Sequence, residues 1–218
     1  MERVFVTDFD GTMCGSDFYR LVVDRFGPPH VQHYWNEYVS GRITHFDALR
    51  SIFQETAVGE EALKSLLPDM AFDDRAVEAV RKLESGGWRI IVVSAGCHWY
   101  IDQLLAEAGL ELEVHSNPGG IEDGRLVMRR PESTPFPSHA AGIDKQAIVR
   151  LHRDRGCELA FAGDGYTDEE AAMLVPESRR FARANLAEKL RERGAGYIPF
   201  NRWAEIADVL CSPTSHSR

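Results

Sequence analysis

Positive charge is scarce in this chain, and what there is lies scattered: 25 Lys and Arg stand against 34 Asp and Glu, leaving a formal net charge of -9. With no basic block to offset that balance, neither nucleic acid nor an anionic membrane is an expected partner. Lysine itself occurs only at Lys64, Lys82, Lys145 and Lys189. The four cysteines, Cys14, Cys97, Cys157 and Cys211, show no CxxC spacing, so neither a zinc site nor a disulfide framework is indicated. His98, His115 and His139 share no metal-ligand spacing either. No apolar run approaches the roughly 20 residues that cross a bilayer, and Met1 leads into a charged dipeptide and a short strand rather than a leader segment. A cytoplasmic globular chain is the expectation. At 218 residues and 44% hydrophobic content it can bury one substantial core, with or without a small appended module. There is no internal repeat and no low-complexity tract.

What the chain does have is acids at strand ends. Val4-Phe5-Val6-Thr7-Asp8-Phe9-Asp10-Gly11-Thr12 is an apolar strand that runs into two aspartates and a turn. Residues i and i+2 of a strand point the same way, so Asp8 and Asp10 crowd like charges, a situation that a divalent cation or a shared proton relieves. Gly11 and Thr12 add amides that can cradle an oxyanion. Arg89 to Val93 reads as a strand buried on both faces that ends at Ser94-Ala95-Gly96, which places a hydroxyl and free amides at its tip. Leu159 to Gly163 reads as a third strand closing on acids, Asp164 and Asp168, and Lys145 opens an amphipathic helix between the second and third strands. Singly, Asp and Ser at such places cap helices or make turns. Jointly they do not need a coincidence, because ligands of open α/β sheets bind at the carboxyl ends of the strands.

The order DFDGT, VSAG, Lys145, GDGYTD resembles the haloacid dehalogenase superfamily of phosphatases and phosphotransferases, over Asp8 to Asp168. The resemblance implies an α/β fold, a Rossmann-like parallel sheet core, and Mg²⁺ as the ion. It implies Asp8 as nucleophile and Asp10 as general acid and base. Thr12, Ser94, Ala95 and Lys145 become phosphate holders, and Asp8, Asp10, Asp164 and Asp168 the metal residues, Asp10 by way of its backbone carbonyl. The implied reaction is hydrolysis of a phosphate monoester through an aspartyl phosphate, with a small phosphorylated metabolite as substrate. The chemistry is coherent: an anionic nucleophile meets a phosphate dianion only where positive charge lies between them. A response-regulator receiver would place its phosphorylated Asp ahead of the hydroxyl residue and Lys but would not bring a second acid pair after the Lys. A carbon-halogen hydrolase would not need Asp10 or the metal pair, and a sugar-phosphate mutase would use the same acids while retaining the phosphoryl group.

From about Ser16 to Met70 only helical patterns occur: Asp17 to Phe26, His30 to Tyr38, Thr44 to Thr56 and Glu60 to Leu67, with breaks at Gly27-Pro28-Pro29 and Ser40-Gly41. By pattern alone these helices could belong to the core's own layer; with the resemblance, residues 1–14 and 72–211 are expected to form the catalytic core, 15–71 a helical cap, and 212–218 a flexible polar tail. A helix is predicted from Asp73 to Ser85, and Asp123-Gly124 reads as the turn of a hairpin within Ile121 to Arg130. An insert after the nucleophile strand is similar to the cap of the group that contains phosphoserine phosphatase. Within that group the chain resembles the methionine-salvage phosphatases acting on 2-hydroxy-3-keto-5-methylthiopentenyl-1-phosphate in its Phe26-Gly27-Pro28-Pro29 break, in Asp17, and in the run from Thr167 to Ala172. Gly165 is closer to phosphoserine phosphatases, which carry Glu where Asp17 stands and an Arg for the substrate carboxylate where this chain has Ile52. The resemblance makes Asp17 the substrate-specificity residue. Trp35, Trp99 and Tyr100 are the aromatics placed to line a pocket, core packing being the commoner fate of the last two.

Overall fold

The computed structural model describes residues 1–212; of the polar tail expected from Ser212, residues 213–218 lie outside the described residues. From the N-terminus, β1 (Arg3–Thr7) is followed by four short helices, α1 (Phe18–Phe26), α2 (Gln32–Val39), α3 (His45–Glu55) and α4 (Glu60–Lys64). The chain continues with α5 (Ala76–Ser85), β2 (Trp88–Cys97), α6 (His98–Glu107) and β3 (Glu113–Asn117), then two hairpins, β4 (Gly119–Glu122) with β5 (Arg125–Met128) and β6 (Pro137–Ser138) with β7 (Gly142–Ile143). It closes with α7 (Lys145–Asp154), β8 (Glu158–Gly163), α8 (Glu169–Ala172), β9 (Arg180–Ala182), α9 (Ala184–Glu192), β10 (Ile198–Pro199) and α10 (Glu205–Leu210).

Six of the strands form one parallel sheet in the order β10-β9-β8-β1-β2-β3. Alternation along the strands sends side chains to two separate cores. Val4, Val6, Ile91, Val93, Leu159 and Phe161 face Ile148 and Val149 of α7, whereas Phe5, Ile90, Val92, Ala160 and Ala162 share a cluster with α5 and α6 and with Phe18, Phe46 and Phe53 of the helical insert. The fold is thus an α/β core with helices on both faces, as the strand patterns predict. β1 lies at its centre, between β2 and β8, where successive connections leave in opposite directions, and this is where such sheets open a crevice.

The expected elements are present with shifted ends. The helix predicted from Asp73 starts at Ala76 because the Asp73 carboxylate is bound by the amides of Arg75 and Ala204, at 3.0 and 2.9 Å, and by Arg202, a tie that holds the chain in a turn. β2 runs on to Cys97, with its register on β3 broken between Val93 and Cys97, so the tip of the strand is irregular where Ser94 to Gly96 lie. The hairpin turn sits at Asp123-Gly124, and Gly124 accepts hydrogen bonds from the amides of Val58 and Gly59, fastening β4 and β5 to the insert. No helix among the described residues is long and apolar enough to cross a membrane.

Trp203 supports β1 from the C-terminal end of the chain. It is buried, stacks on Phe5 with ring centroids 5.8 Å apart, and donates its indole N–H to Thr7 Oγ1 at 2.9 Å. Trp203→Ala is expected to reduce the unfolding free energy by about 3–5 kcal/mol, the range for truncating a large buried aromatic. Denaturant titration measures this directly, and a loss below about 1 kcal/mol would show that the site collapses around the deletion.

Candidate active site

The catalytic cavity opens at the carboxyl end of β1. Asp8, Asp10, Ser94, Ala95, Lys145 and Asp164 line it from the core, and Asp17, Arg20, Trp35, Tyr38, His45, Leu49 and Phe53 line it from the insert. Lys145 is the first residue of α7, a helix whose start is fixed by the Asp144 carboxylate accepting from the Ala147 amide at 2.9 Å. Its ammonium, only 3% exposed, lies 2.8 Å from Asp8 Oδ1 and 2.6 Å from Asp168 Oδ1. The four sequence motifs converge as predicted, although Lys145 is held between two acids rather than standing free for a phosphate.

Asp168 is fully buried, and both of its oxygens are occupied, because Oδ2 accepts from the amides of Asp164 and Gly165 at 3.1 and 2.9 Å. Those bonds close the tight loop after β8. Gly163 is required there, since a Cβ would stand 2.6 Å from the Asp168 carboxylate carbon. Thr12, expected to hold phosphate, donates its hydroxyl to Asp164 Oδ1 at 3.2 Å and so positions an acid. Ser94 Oγ accepts from the Gly96 amide at 3.0 Å and donates to Asp10 Oδ2 at 3.3 Å.

Asp8, Asp164 and Asp168 each bring a carboxylate oxygen to within 4.8 Å of the others, close enough to share one ion. The donor set fits Mg²⁺, which takes hard oxygens and only one or two carboxylates. Asp8 and Asp164 are the two acids whose oxygens Asp168's bonds leave available. Burial, then Asp168, pushes Asp8 well above the ordinary carboxylate range, with Lys145 opposing, and the same two causes raise Asp164 to about 7. The acids outnumber the ammonium, and a cation is what such a cluster lacks. Burial tends to lower Lys145, but Asp168 and Asp8 overcome it, so its ammonium is held charged.

The Asp10 carboxylate does not join this cluster. Oδ1 accepts from the Phe18 amide at 3.0 Å and Oδ2 from the Tyr100 hydroxyl at 2.7 Å, and burial, reinforced by Asp17, raises its pKa to about 6. The side chain therefore faces the first turn of α1 rather than the acid cluster. Tyr100, stacked on Phe18 at 4.4 Å, is a site residue for which core packing was the prior expectation. Its contact also explains Gly96, where any Cβ would collide with the Tyr100 hydroxyl.

Asp17 does reach the cavity, but not as a lone carboxylate. It precedes α1 and makes no cap hydrogen bond, because it pairs with Arg20 Nε at 2.9 Å. Ile52 is buried in the apolar cluster, while its neighbours Leu49 and Phe53 line the cavity. Arg183, which no local pattern singles out, donates to the carbonyls of Gly11, Thr12, Cys14 and Asn201 and fixes the turn after β1. His45 was likewise not anticipated; burial, aided by Lys145, lowers it to about 4.

The pH dependence follows from these shifts. Asp10 and Asp164 keep their protons in the folded chain to about 6 and about 7, above where unfolded carboxylates ionise. In that window the folded state binds more protons, so these groups make the metal-free protein less stable as pH rises from about 4 to about 7. Asp164→Asn should flatten that slope, and Mg²⁺ should raise the melting temperature of the wild type most above about pH 7, where both acids are ionised. Thermal melts across pH, with and without Mg²⁺, check this; an unchanged slope in Asp164→Asn contradicts it.

Comparison with known proteins agrees with this geometry. Relatives named 2-hydroxy-3-keto-5-methylthiopentenyl-1-phosphate phosphatase, from Bacillus thuringiensis and Bacillus cereus, are each 22% identical over 208 residues, covering 93% of this chain and 93% of their own. Among solved structures, a HAD family hydrolase from Salmonella enterica superposes with a TM-score of 0.74 at 16% identity, covering 97% of this chain and 71% of that one. A phosphoserine phosphatase from T. onnurineus gives 0.67 at 19% identity, over 97% and 96% of the two chains. These likenesses establish a common fold. A family model described as haloacid dehalogenase-like hydrolase matches residues 5–173, from the third residue of β1 to just beyond the last of the clustered acids, and on that extent the chain belongs to the haloacid dehalogenase-like hydrolase family.

Proposed function

We propose that this hydrolase is a Mg²⁺-dependent phosphatase of a small phosphorylated metabolite, working through an aspartyl phosphate on Asp8. The observation that carries the reading is the Lys145 ammonium seated between Asp8 and Asp168 in the same cavity as the separately held Asp10. Asp8 attacks phosphorus, the ester P–O bond breaks, and the leaving oxygen takes its proton from Asp10. In the second step the Asp10 carboxylate takes a proton from water as the water oxygen attacks phosphorus, and Asp8 is released. Lys145 and the Ser94–Ala95 tip of β2 offset the charge of the phosphoryl oxygens. Mg²⁺ held by Asp8 and Asp164, together with the Asp10 carbonyl, would supply further positive charge there.

The helical insert, residues 15–71, is proposed to act as a cap on a core of residues 1–14 and 72–211, excluding water while the intermediate exists. Its contribution to the cavity favours a substrate of the 2-hydroxy-3-keto-5-methylthiopentenyl-1-phosphate type, since Trp35, Tyr38, Leu49 and Phe53 form an apolar wall. One observation supports phosphoserine instead: Asp17 and Arg20 side by side could receive an ammonium and a carboxylate.

Asp8→Asn should abolish hydrolysis of an aryl phosphate, because the phosphate-holding groups remain but the covalent route does not. Metal-independent turnover that survives this substitution would end the phosphatase reading. Asp10→Asn should reduce turnover about 10²- to 10⁴-fold, the span of general acid and base catalysis, and least for esters with good leaving groups. A rate series of aryl and alkyl phosphates measures that trend; equal losses across the series would remove Asp10 from the acid role.

A further inference from the structure

The cavity contains a polar group, the His45 imidazole, that the reaction leaves without a task. His45 is the first residue of α3, and Thr44 fixes that start by accepting from the Asp47 amide at 3.1 Å. The imidazole lines the same cavity as Asp8, Asp10 and Lys145. Two aromatic edges confine it: Trp35 at 5.7 Å and 74°, and Tyr38 at 5.0 Å and 79° between rings. Its Nδ1 is buried and has no hydrogen-bond partner. Buried polar atoms are normally paired, so an orphan in a ligand cavity is a place for a ligand atom. The ring is uncharged near neutrality, because burial and the nearby Lys145 disfavour its protonated form. A neutral imidazole offers one donor and one acceptor and suits an uncharged oxygen.

We propose that His45 is a specificity-determining residue that hydrogen-bonds a hydroxyl or keto oxygen on the carbon chain bearing the phosphate, while Trp35, Tyr38, Leu49 and Phe53 enclose an apolar remainder. The substrate class is therefore an aliphatic phosphate monoester whose carbon chain is uncharged, oxygenated near the phosphate and apolar at its far end. This rests on the phosphatase reading above and narrows it. The Asp17–Arg20 pair does not contradict it, since each member already neutralises the other.

The test uses a straight-chain alkyl 1-phosphate, its 2-hydroxy and 2-keto counterparts, O-phosphoserine and an aryl phosphate, each hydrolysed with Mg²⁺ by the wild type, His45→Phe and His45→Gln. In the wild type, kcat/KM should favour the oxygenated esters over the plain alkyl ester by about 10-fold or more, the discrimination that a buried hydrogen bond gives. His45→Phe, which keeps a ring between Trp35 and Tyr38, should bring that ratio close to one, mainly by raising KM for the oxygenated esters. His45→Gln retains a donor and an acceptor and should keep part of the preference. The inference is overturned by a ratio that His45→Phe leaves unchanged, by a wild type with no preference, or by O-phosphoserine as the best substrate. In those cases metal-dependent turnover of the aryl phosphate still upholds the phosphatase reading, whereas a wild type inactive on every ester overturns both. Should His45→Phe fail to fold, His45→Gln decides: a preference smaller than the wild type's, reduced through KM, supports the assignment, and one equal to the wild type's overturns it.

Discussion

The centre of this molecule is arranged around holding three clustered carboxylates, two of them buried, against one buried ammonium. Ions buried without compensation are strongly unfavourable, and the unfavourable energy is contained only if each is held by partners in good geometry. Asp168 shows how the chain achieves this. One oxygen faces Lys145 and the other receives two backbone amides of its own loop, so its charge is compensated without any ligand. Asp8 and Asp164 are less fully served, and their raised proton affinities record the shortfall. In the mechanism proposed above, the saturated acid holds the lysine in place and the unsaturated ones are left for an ion and for phosphorus.

A second arrangement depends on the first. With the cluster occupying one side of β1's tip, Asp10 is free to turn toward the insert, where the opening amide of α1 and the Tyr100 hydroxyl receive it. The acid is therefore positioned jointly by the core, through α6, and by the first turn of the insert. Phe18 links both partners, since its amide bonds Asp10 and its ring stacks on Tyr100. Catalytic geometry and the seating of the insert are one packing problem here.

Much of this is legible in the sequence because it is local. Asp8, Asp10, Ser94, Lys145 and Asp164 all stand at strand ends or helix starts, and hydrophobic patterning locates those ends to within a few residues. What was not legible is either long-range or rotational. Arg183 meets the turn after β1 from about 170 residues away, and nothing in its neighbourhood signals that. Tyr100 and His45 acquire their roles from which way their helices face, and on a helix one residue of misplacement turns a side chain by about 100°. The same geometry separates Ile52, which is core, from Phe53, which lines the cavity. The Asp17–Arg20 pairing, by contrast, is an i,i+3 contact whose spacing stands in the sequence.

Arg183 and Trp203 bear on how the site comes into being. The turn that follows β1 is clamped by the guanidinium of Arg183, 172 residues beyond Gly11, and Thr7 of the strand is held by the indole of Trp203, 196 residues further on. Both groups follow Asp168 in the sequence, so the acids of the site depend for their framework on chain that carries none of them. Loss of the chain beyond Asp168 would leave all of those acids present and remove the clamp on the turn that carries the first two.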